Sequence, residues 1–182
     1  MKKPFKQLDS KIAWACDWYD VRQDSIELPD GSIGQYNVVR RETAVFIIPI
    51  TPDNEIVMLH QYRYTVDDYC WEIPAGGVKA GQTLEEAARD ELREEIGGTT
   101  EQLEYGGQFY TANGFCDEIG HYFIAKNVIM GETAHEPAES MQVHTKPIAQ
   151  VLRMVRNHEV TDGQSALILL LAEPHLRAMI KG

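Results

Sequence analysis

Residues 76–98 of the chain, GGVKAGQTLEEAARDELREEIGG, join a glycine-rich loop to the clearest helix signal in the sequence. Thr83 is a suitable N-cap, and Glu86, three residues later, completes a capping box. The glycine pair that begins at Gly97 marks the end of the helix. Between these limits, apolar residues recur at helical spacing and form one stripe: Leu84, Ala87, Ala88, Leu92 and Ile96. The pattern predicts a helix over 83–96 with one face against a core.

The same helix carries three carboxylates on one side. Glu91, Glu94 and Glu95 lie at i, i+3 and i+4, so their side chains are neighbours and repel one another. An acidic run of this kind is most often a solvated helix face. This one follows directly on a glycine-rich loop, and hard oxygen ligands on one rigid helix suit Mg²⁺ or Mn²⁺. We therefore predict a divalent-metal site, with Glu94 and Glu95 facing solvent and metal.

Strand and helix signals alternate along the rest of the chain. Residues 43–51 (TAVFIIPIT) are apolar and rich in β-branched side chains, which is typical of a strand buried on both faces. A turn at 52–54 and a second strand over 55–61 predict a hairpin. Other strands are expected near 18–27 and 35–41, joined by a turn at 28–32, and near 108–111, 120–125 and 142–145, with helices near 148–157 and 163–172. This order indicates a mixed α/β class with a sheet packed between helices.

The composition restricts the partners of the chain. Its 182 residues carry a formal net charge of −11 at pH 7, which argues against a nucleic-acid binder acting through phosphate neutralisation. No apolar run reaches the length of a membrane span, and residues 4–18 lack the apolar core of a signal peptide. Three widely spaced cysteines, Cys16, Cys70 and Cys116, form neither a disulfide framework nor a zinc pattern. We expect a cytoplasmic protein without nucleic-acid or membrane partners.

Two further motifs complete a family resemblance. Residues 60–63 (HQYR) and 71–77 (WEIPAGG) precede the loop and helix, in which Gly76 and the run 91–97 (ELREEIG) match the box G-x5-E-x7-R-E-U-x-E-E-x-G-U, where U is aliphatic. The chain thus resembles the Nudix hydrolases, in particular the branch that hydrolyses ADP-ribose and other nucleoside diphosphate sugars. The resemblance covers about residues 35–175. It implies an α/β/α sandwich with a mixed sheet and an N-terminal β region.

The resemblance also implies a domain organisation and an assembly. An N-terminal β region over 1–42, part of the same domain, precedes the Nudix hydrolase domain over 43–182. Family members of this branch form homodimers through the N-terminal region, so we expect a homodimer here.

Roles for individual residues follow from the resemblance. The implied metal ligands are the main-chain carbonyl of Ala75 and the carboxylates of Glu91, Glu94 and Glu95. Glu139, in the polar loop before the last strand, matches the loop carboxylate that acts as general base in the branch. Glu136 and Glu95 are alternatives for that base. An equal alternative for Glu139 is an ordinary exposed loop glutamate without a catalytic role.

Three further residues are implied to hold the substrate. Arg63 is a candidate phosphate clamp, because a guanidinium makes bidentate contacts, although a structural ion pair is an equal alternative. Glu72 matches a residue that contacts the substrate, and its alternative is a partner for a nearby arginine. Glu118 matches a glutamate that follows a Pro-Gly turn in the branch, and here Asn113 replaces the proline. Three aromatic residues have two possible roles, stacking on a nucleobase or packing in the core: Trp18, Tyr19 and Tyr36.

The box departs from the family pattern at three positions. Gln82 stands in place of its first Glu, Asp90 in place of its Arg, and Gly98 in place of its last aliphatic residue. The family arginine helps to orient the metal-binding carboxylates. We predict a compensation in which the Gln82 amide donates a hydrogen bond to the Asp90 carboxylate, and Arg89 is an alternative orienting residue.

These observations predict a Mg²⁺-dependent hydrolase, with Mn²⁺ as an alternative metal, that cleaves the pyrophosphate bond of ADP-ribose or a related nucleoside diphosphate sugar. The products would be a nucleoside monophosphate and a sugar phosphate. One alternative is a Nudix-fold nucleotide-binding or regulatory module that has lost catalysis, which Gln82 and Asp90 would explain. Another is a structural protein with an acidic helix.

Overall fold

The computed structural model describes residues 3–133 and 140–180. Its elements follow the chain in the order β1 (Lys6–Ala15), β2 (Asp20–Glu27), β3 (Ile33–Arg40), β4 (Ala44–Pro49), β5 (Glu55–Arg63), β6 (Asp68–Glu72), β7 (Ala75–Gly77), α1 (Leu84–Ile96), β8 (Gln102–Tyr110), β9 (Ile119–Lys126), β10 (Met141–Pro147), α2 (Ile148–Arg156) and α3 (Gly163–Ile180). The α/β class predicted from the sequence is confirmed.

The chain divides into two compact units. Unit 1 comprises residues 1–43 and 109–120, and unit 2 comprises residues 44–108 and 121–182. The predicted organisation, an N-terminal region over 1–42 and a domain over 43–182, stays a prediction. Within the described ranges, no helix has both the length and the apolar content that a membrane crossing requires.

Unit 1 contains an antiparallel sheet with the order β1-β2-β3. Strands β2 and β3 pair across the predicted turn at 28–32, from Asp20 opposite Arg40 to Glu27 opposite Ile33. Strand β1 pairs with β2 with two register shifts. It lies in the N-terminal β region expected over 1–42, although no individual strand was predicted over its residues. All ten residues of β1 are exposed.

Unit 2 has its core between strands and helix α1. One sheet has the order β10-β5-β6 and another the order β7-β4-β9-β8. Helix α1 packs against β4 and β7, α2 packs against β10 and β5, and α3 packs against α2. The main core cluster consists of Val45, Ile47, Val57, Leu59, Ala87, Ala88, Leu92, Ile96, Phe123, Ala125 and Val128. All six residues of β4 are buried, as its apolar sequence predicted.

The predicted hairpin of β4 and β5 is wrong. The two strands lie in different sheets, and a single bridge between Ile50 and Ile56 joins the chain at the turn. Both strands are central, since β4 lies between β7 and β9 and β5 lies between β10 and β6. Each strand is apolar on both faces and fills the interior of its own sheet, so local pairing across the turn is not used.

The predicted helix over 83–96 is confirmed, together with its caps. The Glu86 backbone N–H donates to Thr83 Oγ1 at 3.2 Å, and the Thr83 N–H donates to Glu86 Oε2 at 2.8 Å. Gly97 ends the helix with φ of 63°, a left-handed conformation that glycine adopts easily. Helix α3 continues beyond the predicted end at residue 172 and contains Pro174. Proline has no backbone N–H, so Pro174 leaves the carbonyl of Leu170 without its usual helical hydrogen bond. Both residues are exposed, so water can bind that carbonyl.

Candidate active site

Strand β7 and helix α1 bring two of the predicted metal ligands into contact. The Ala75 backbone N–H donates a hydrogen bond to Glu95 Oε2 at 3.0 Å. Glu95 is only 7% exposed, so the expectation that its side chain faces solvent is wrong. The side chain turns inward because α1 packs against β7, and its carboxylate accepts a backbone donor there.

Gly76 lies against the carboxylate of Glu91. A Cβ atom at residue 76 would lie 2.0 Å from Glu91 Oε1 and 2.1 Å from its Cδ. A side chain at residue 76 fits only if the Glu91 carboxylate shifts, so the first glycine of the box leaves room for Glu91 rather than serving a special backbone angle. The loop and the helix therefore position Glu91 and Glu95 together, one turn apart on α1.

Glu94 is partly exposed, with 41% of its side chain accessible, whereas Glu95 is buried. Lys79 Nζ lies 4.0 Å and Arg93 Nη2 3.9 Å from Glu94 Oε1. In the part of the chain that the structure describes, no three His, Cys, Asp or Glu side chains already form a metal-binding cluster. The donor set nevertheless fits a hard divalent cation, because Ala75, Glu91, Glu94 and Glu95 supply oxygen atoms alone.

The predicted bond between Gln82 and Asp90 is confirmed. Gln82 Nε2 donates to Asp90 Oδ2 at 2.8 Å. The alternative, in which Arg89 orients the metal-binding carboxylates, is wrong, because its guanidinium binds Glu85 on its own helix and the carbonyl oxygen of Thr100. The third departure from the box also has a packing reason, since a Cβ atom at Gly98 would lie 2.9 Å from Val128 Cγ1.

Two of the predicted substrate residues bind each other. Arg63 Nε donates to Glu72 Oε1 at 2.8 Å, and its Nη2 donates to Glu72 Oε2. Glu72 is 7% exposed, whereas the Arg63 side chain is about half exposed at 48%. The hydrogen bond to Glu72 raises the pKa of Arg63, and the charges of Asp162 and Glu95 act in the same direction. The sequence did not reveal Asp162, because it lies 99 positions after Arg63.

In unit 1, the predicted residue Glu118 is buried and paired. Its carboxylate lies 3.1 Å from Arg41 Nη1, and the Arg41 backbone N–H donates to Asp117 Oδ1 at 3.2 Å. Arg41 also borders a polar hollow of about 410 Å³, whose other lining residues include Trp18, Tyr19, Asp20, Arg40 and Asp117. Trp18 is 77% exposed. Arg41 was not predicted from the sequence, although it lies three residues before the buried strand β4 in the run Arg40-Arg41-Glu42.

A separate cleft of about 320 Å³ in unit 1 contains Tyr36, together with Tyr110 and Phe115. The Tyr36 hydroxyl donates to the carbonyl oxygen of Gly114 at 2.9 Å. Tyr36 therefore does not border the hollow that contains Trp18 and Tyr19. The candidate general bases Glu139 and Glu136 lie outside the described residues, so their role stays a prediction.

Comparison with protein families gives two matches that together cover most of the chain. The model of the family described as "NUDIX domain" matches residues 40–167. A model described as "Nucleoside diphosphate sugar hydrolase N-terminal domain" matches residues 5–39.

Individual relatives agree with the family match. The chain is 33% identical over 149 residues to an ADP-ribose pyrophosphatase of Bacillus subtilis (strain 168). The aligned residues make up 81% of this chain and 80% of the relative. The chain is 34% identical over 146 residues to a methanol dehydrogenase activator of Bacillus methanolicus, covering 79% of each. A crystal structure of an ADP compounds hydrolase superposes with a TM-score of 0.85 over 97% of this chain and 96% of that one. At 19% identity, this last match concerns the fold alone.

Proposed function

The chain belongs to the Nudix hydrolase family, and on that premise we propose that it cleaves the pyrophosphate bond of a nucleoside diphosphate sugar, with ADP-ribose as the first candidate. The products would be a nucleoside monophosphate and a sugar phosphate. The observation that carries the proposal is the contact of the β7 loop with α1, where Gly76 and Ala75 touch the carboxylates of Glu91 and Glu95. The relative named ADP-ribose pyrophosphatase supports the choice of substrate.

Charge makes a divalent cation necessary in this proposal. A diphosphate carries negative charge to a helix whose exposed face is acidic, in a chain with a net charge of −11. The residues that would hold Mg²⁺, or Mn²⁺ in its place, are the Ala75 carbonyl and the carboxylates of Glu91, Glu94 and Glu95. A cation held there would neutralise the diphosphate and would lower the pKa of a bound water molecule.

The chain's own residues then have separate tasks. Glu139 accepts the proton of the attacking water, with Glu136 as the nearest alternative. We rank Glu95 behind both, because its Oε2 atom is already bound to the Ala75 N–H and the side chain is buried. Glu72 orients the guanidinium of Arg63 through a bidentate pair, which fixes the direction in which Arg63 can meet a phosphate oxygen.

In unit 1, Glu118 and its partner Arg41 are the candidates for contact with the rest of the substrate. We also propose that the chain forms a homodimer through this unit. Three apolar side chains of β1 are about half exposed, namely Leu8, Ile12 and Trp14, and burial of such a surface favours association.

A turnover assay tests the proposal. The enzyme is incubated with Mg²⁺ and ADP-ribose, ADP-sugars or GDP-sugars, and phosphate released by added phosphatase is measured, since intact diphosphates resist the phosphatase. Glu94→Gln should lose at least about two orders of magnitude in kcat. Glu85→Gln is the matched control, because Glu85 lies on the same helix but pairs with Arg89, and it should keep the wild-type rate.

The alternative is a regulatory Nudix-fold module. It is favoured by Gln82 and Asp90 in the box and by the relative named as an activator of methanol dehydrogenase. Binding of nucleoside diphosphate sugars with no turnover of any member of the panel would support this alternative and exclude the hydrolase.

A further inference from the structure

The side-chain amide of Gln82 joins the loop before α1 to the helix. Its Oε1 accepts the backbone N–H of Lys79 at 3.1 Å, and its Nε2 donates to Asp90 Oδ2 at 2.8 Å. Both ends of the amide are therefore used. The carboxylate of Asp90 is tied to the loop that contains Lys79.

The second oxygen of Asp90 binds a different residue. Arg93 Nη2 donates to Asp90 Oδ1 at 2.6 Å, and the same nitrogen lies 3.9 Å from Glu94 Oε1. Asp90 is about one-third exposed, and Arg93 is 59% exposed. The chain of contacts thus runs from the loop through Gln82, Asp90 and Arg93 to Glu94.

The positive charge of the family box lies at a different position in this chain. The family pattern places Glu and Arg at the positions of Gln82 and Asp90, which sum to zero charge. In this chain, Gln82, Asp90 and Arg93 also sum to zero, and the guanidinium lies three residues, or about one helical turn, further along α1. Arg89 is not available for the same task, since it binds Glu85 and the Thr100 carbonyl.

We propose that Arg93 is the positioning residue that replaces the box arginine, and that Asp90 and Gln82 hold its guanidinium so that it sets the side chain of Glu94 for metal binding. The inference rests on the metal site of the proposed function. Arg93 acts through Glu94 and touches neither metal nor substrate.

Binding of Mn²⁺ alone, followed by the electron paramagnetic resonance signal of free Mn²⁺, tests this inference without any turnover. Loss of a positive charge near Glu94 would by itself tighten cation binding. A positioning residue behaves in the opposite way, since removal of a group that orients a metal ligand weakens binding by about 10- to 100-fold. We expect such a weakening for Arg93→Ala, which removes the guanidinium that binds Asp90 and lies near Glu94.

Arg89→Ala is the matched control, because it removes one guanidinium from the same helix. Its Mn²⁺ affinity should stay within about threefold of wild type or become tighter. Thermal melting of all variants reports whether the fold is intact, and loss of the exposed pair between Asp90 and Arg93 should lower Tm by no more than about 2 °C.

A rescue separates positioning from a general loss of structure. Gln82→Glu with Asp90→Arg, introduced into Arg93→Ala, rebuilds the ion pair of the family box and should restore Mn²⁺ affinity to within about threefold of wild type. Arg93→Ala that binds Mn²⁺ as tightly as Arg89→Ala, or a triple variant as weak as Arg93→Ala, would overturn the inference. Wild-type protein that binds Mn²⁺ but hydrolyses no nucleotide sugar would defeat only the proposed function.

Discussion

Replacement of Gly76 by alanine is the sharpest test of the site geometry. The added Cβ atom would lie 2.0 Å from Glu91 Oε1, 2.1 Å from Cδ and 2.5 Å from Oε2, whereas real Cβ contacts are essentially never shorter than 3.0 Å. The Glu91 carboxylate must therefore retreat by about 1 Å. A misplacement of that size in an active site costs about a hundredfold in rate. We expect Gly76→Ala to lower kcat by about that factor in the presence of Mg²⁺.

Gly77→Ala is the matched control, since a Cβ atom there would meet nothing within 4 Å. It should keep the wild-type kcat and, by restricting the unfolded chain, stabilise the protein by up to about 1 kcal/mol. Steady-state kinetics with ADP-ribose and chemical unfolding of both variants provide the measurement. If Gly76→Ala kept a wild-type kcat while remaining folded, the position of the Glu91 carboxylate would not matter for the reaction.

Three other perturbations address stability, pH and metal. Arg63→Ala leaves the buried Glu72 carboxylate without its bidentate partner, so the free energy of unfolding in urea should fall by about 1–3 kcal/mol. The loss is smaller than for a fully buried pair because Arg63 is half exposed. Glu72→Gln in the same protein should recover part of the lost stability. Hydrogen bonds from Thr83 lower the pKa of Glu86. The resulting stability is present above the ordinary glutamate pKa of about 4.3 and is lost as the pH falls through the lowered pKa of the folded state, so Glu86→Gln should melt with a weaker dependence on acid pH than wild type. A chelator should abolish turnover and added Mg²⁺ should restore it, whereas undiminished turnover in chelator would contradict a metal-dependent mechanism.

Local patterns in the sequence were sufficient for helix α1 and its environment. The capping box of Thr83 and Glu86 and the end at Gly97 depend on residues within one turn, so the spacing predicts them directly. The bond between Gln82 and Asp90 was also predictable, because two substitutions at positions that face each other in the family box indicate a compensating contact.

The pairing of strands was harder to predict from the sequence. The strand signals of residues 43–51 and 55–61 are correct, but the hairpin inferred from their proximity is wrong because each strand is the centre of a different sheet. Strand β1 was not predicted as an individual strand within the N-terminal β region, because all ten of its residues are exposed and no buried apolar run marks it.

The sequence by itself determined the family, the α/β class, the limits of helix α1 and the residue types of the candidate site, because these depend on short spacings along one element. Only the tertiary structure decided which charges meet. It paired Arg63 with Glu72 and Glu118 with Arg41, and it turned Glu95 inward to the Ala75 N–H, whereas the pair of Arg93 with Asp90 follows from their i, i+3 spacing on α1. The physical reason is that a carboxylate is neutralised by whichever donor the packing of strands and helices brings within about 3 Å. For most of these contacts, sequence separation says nothing about that distance.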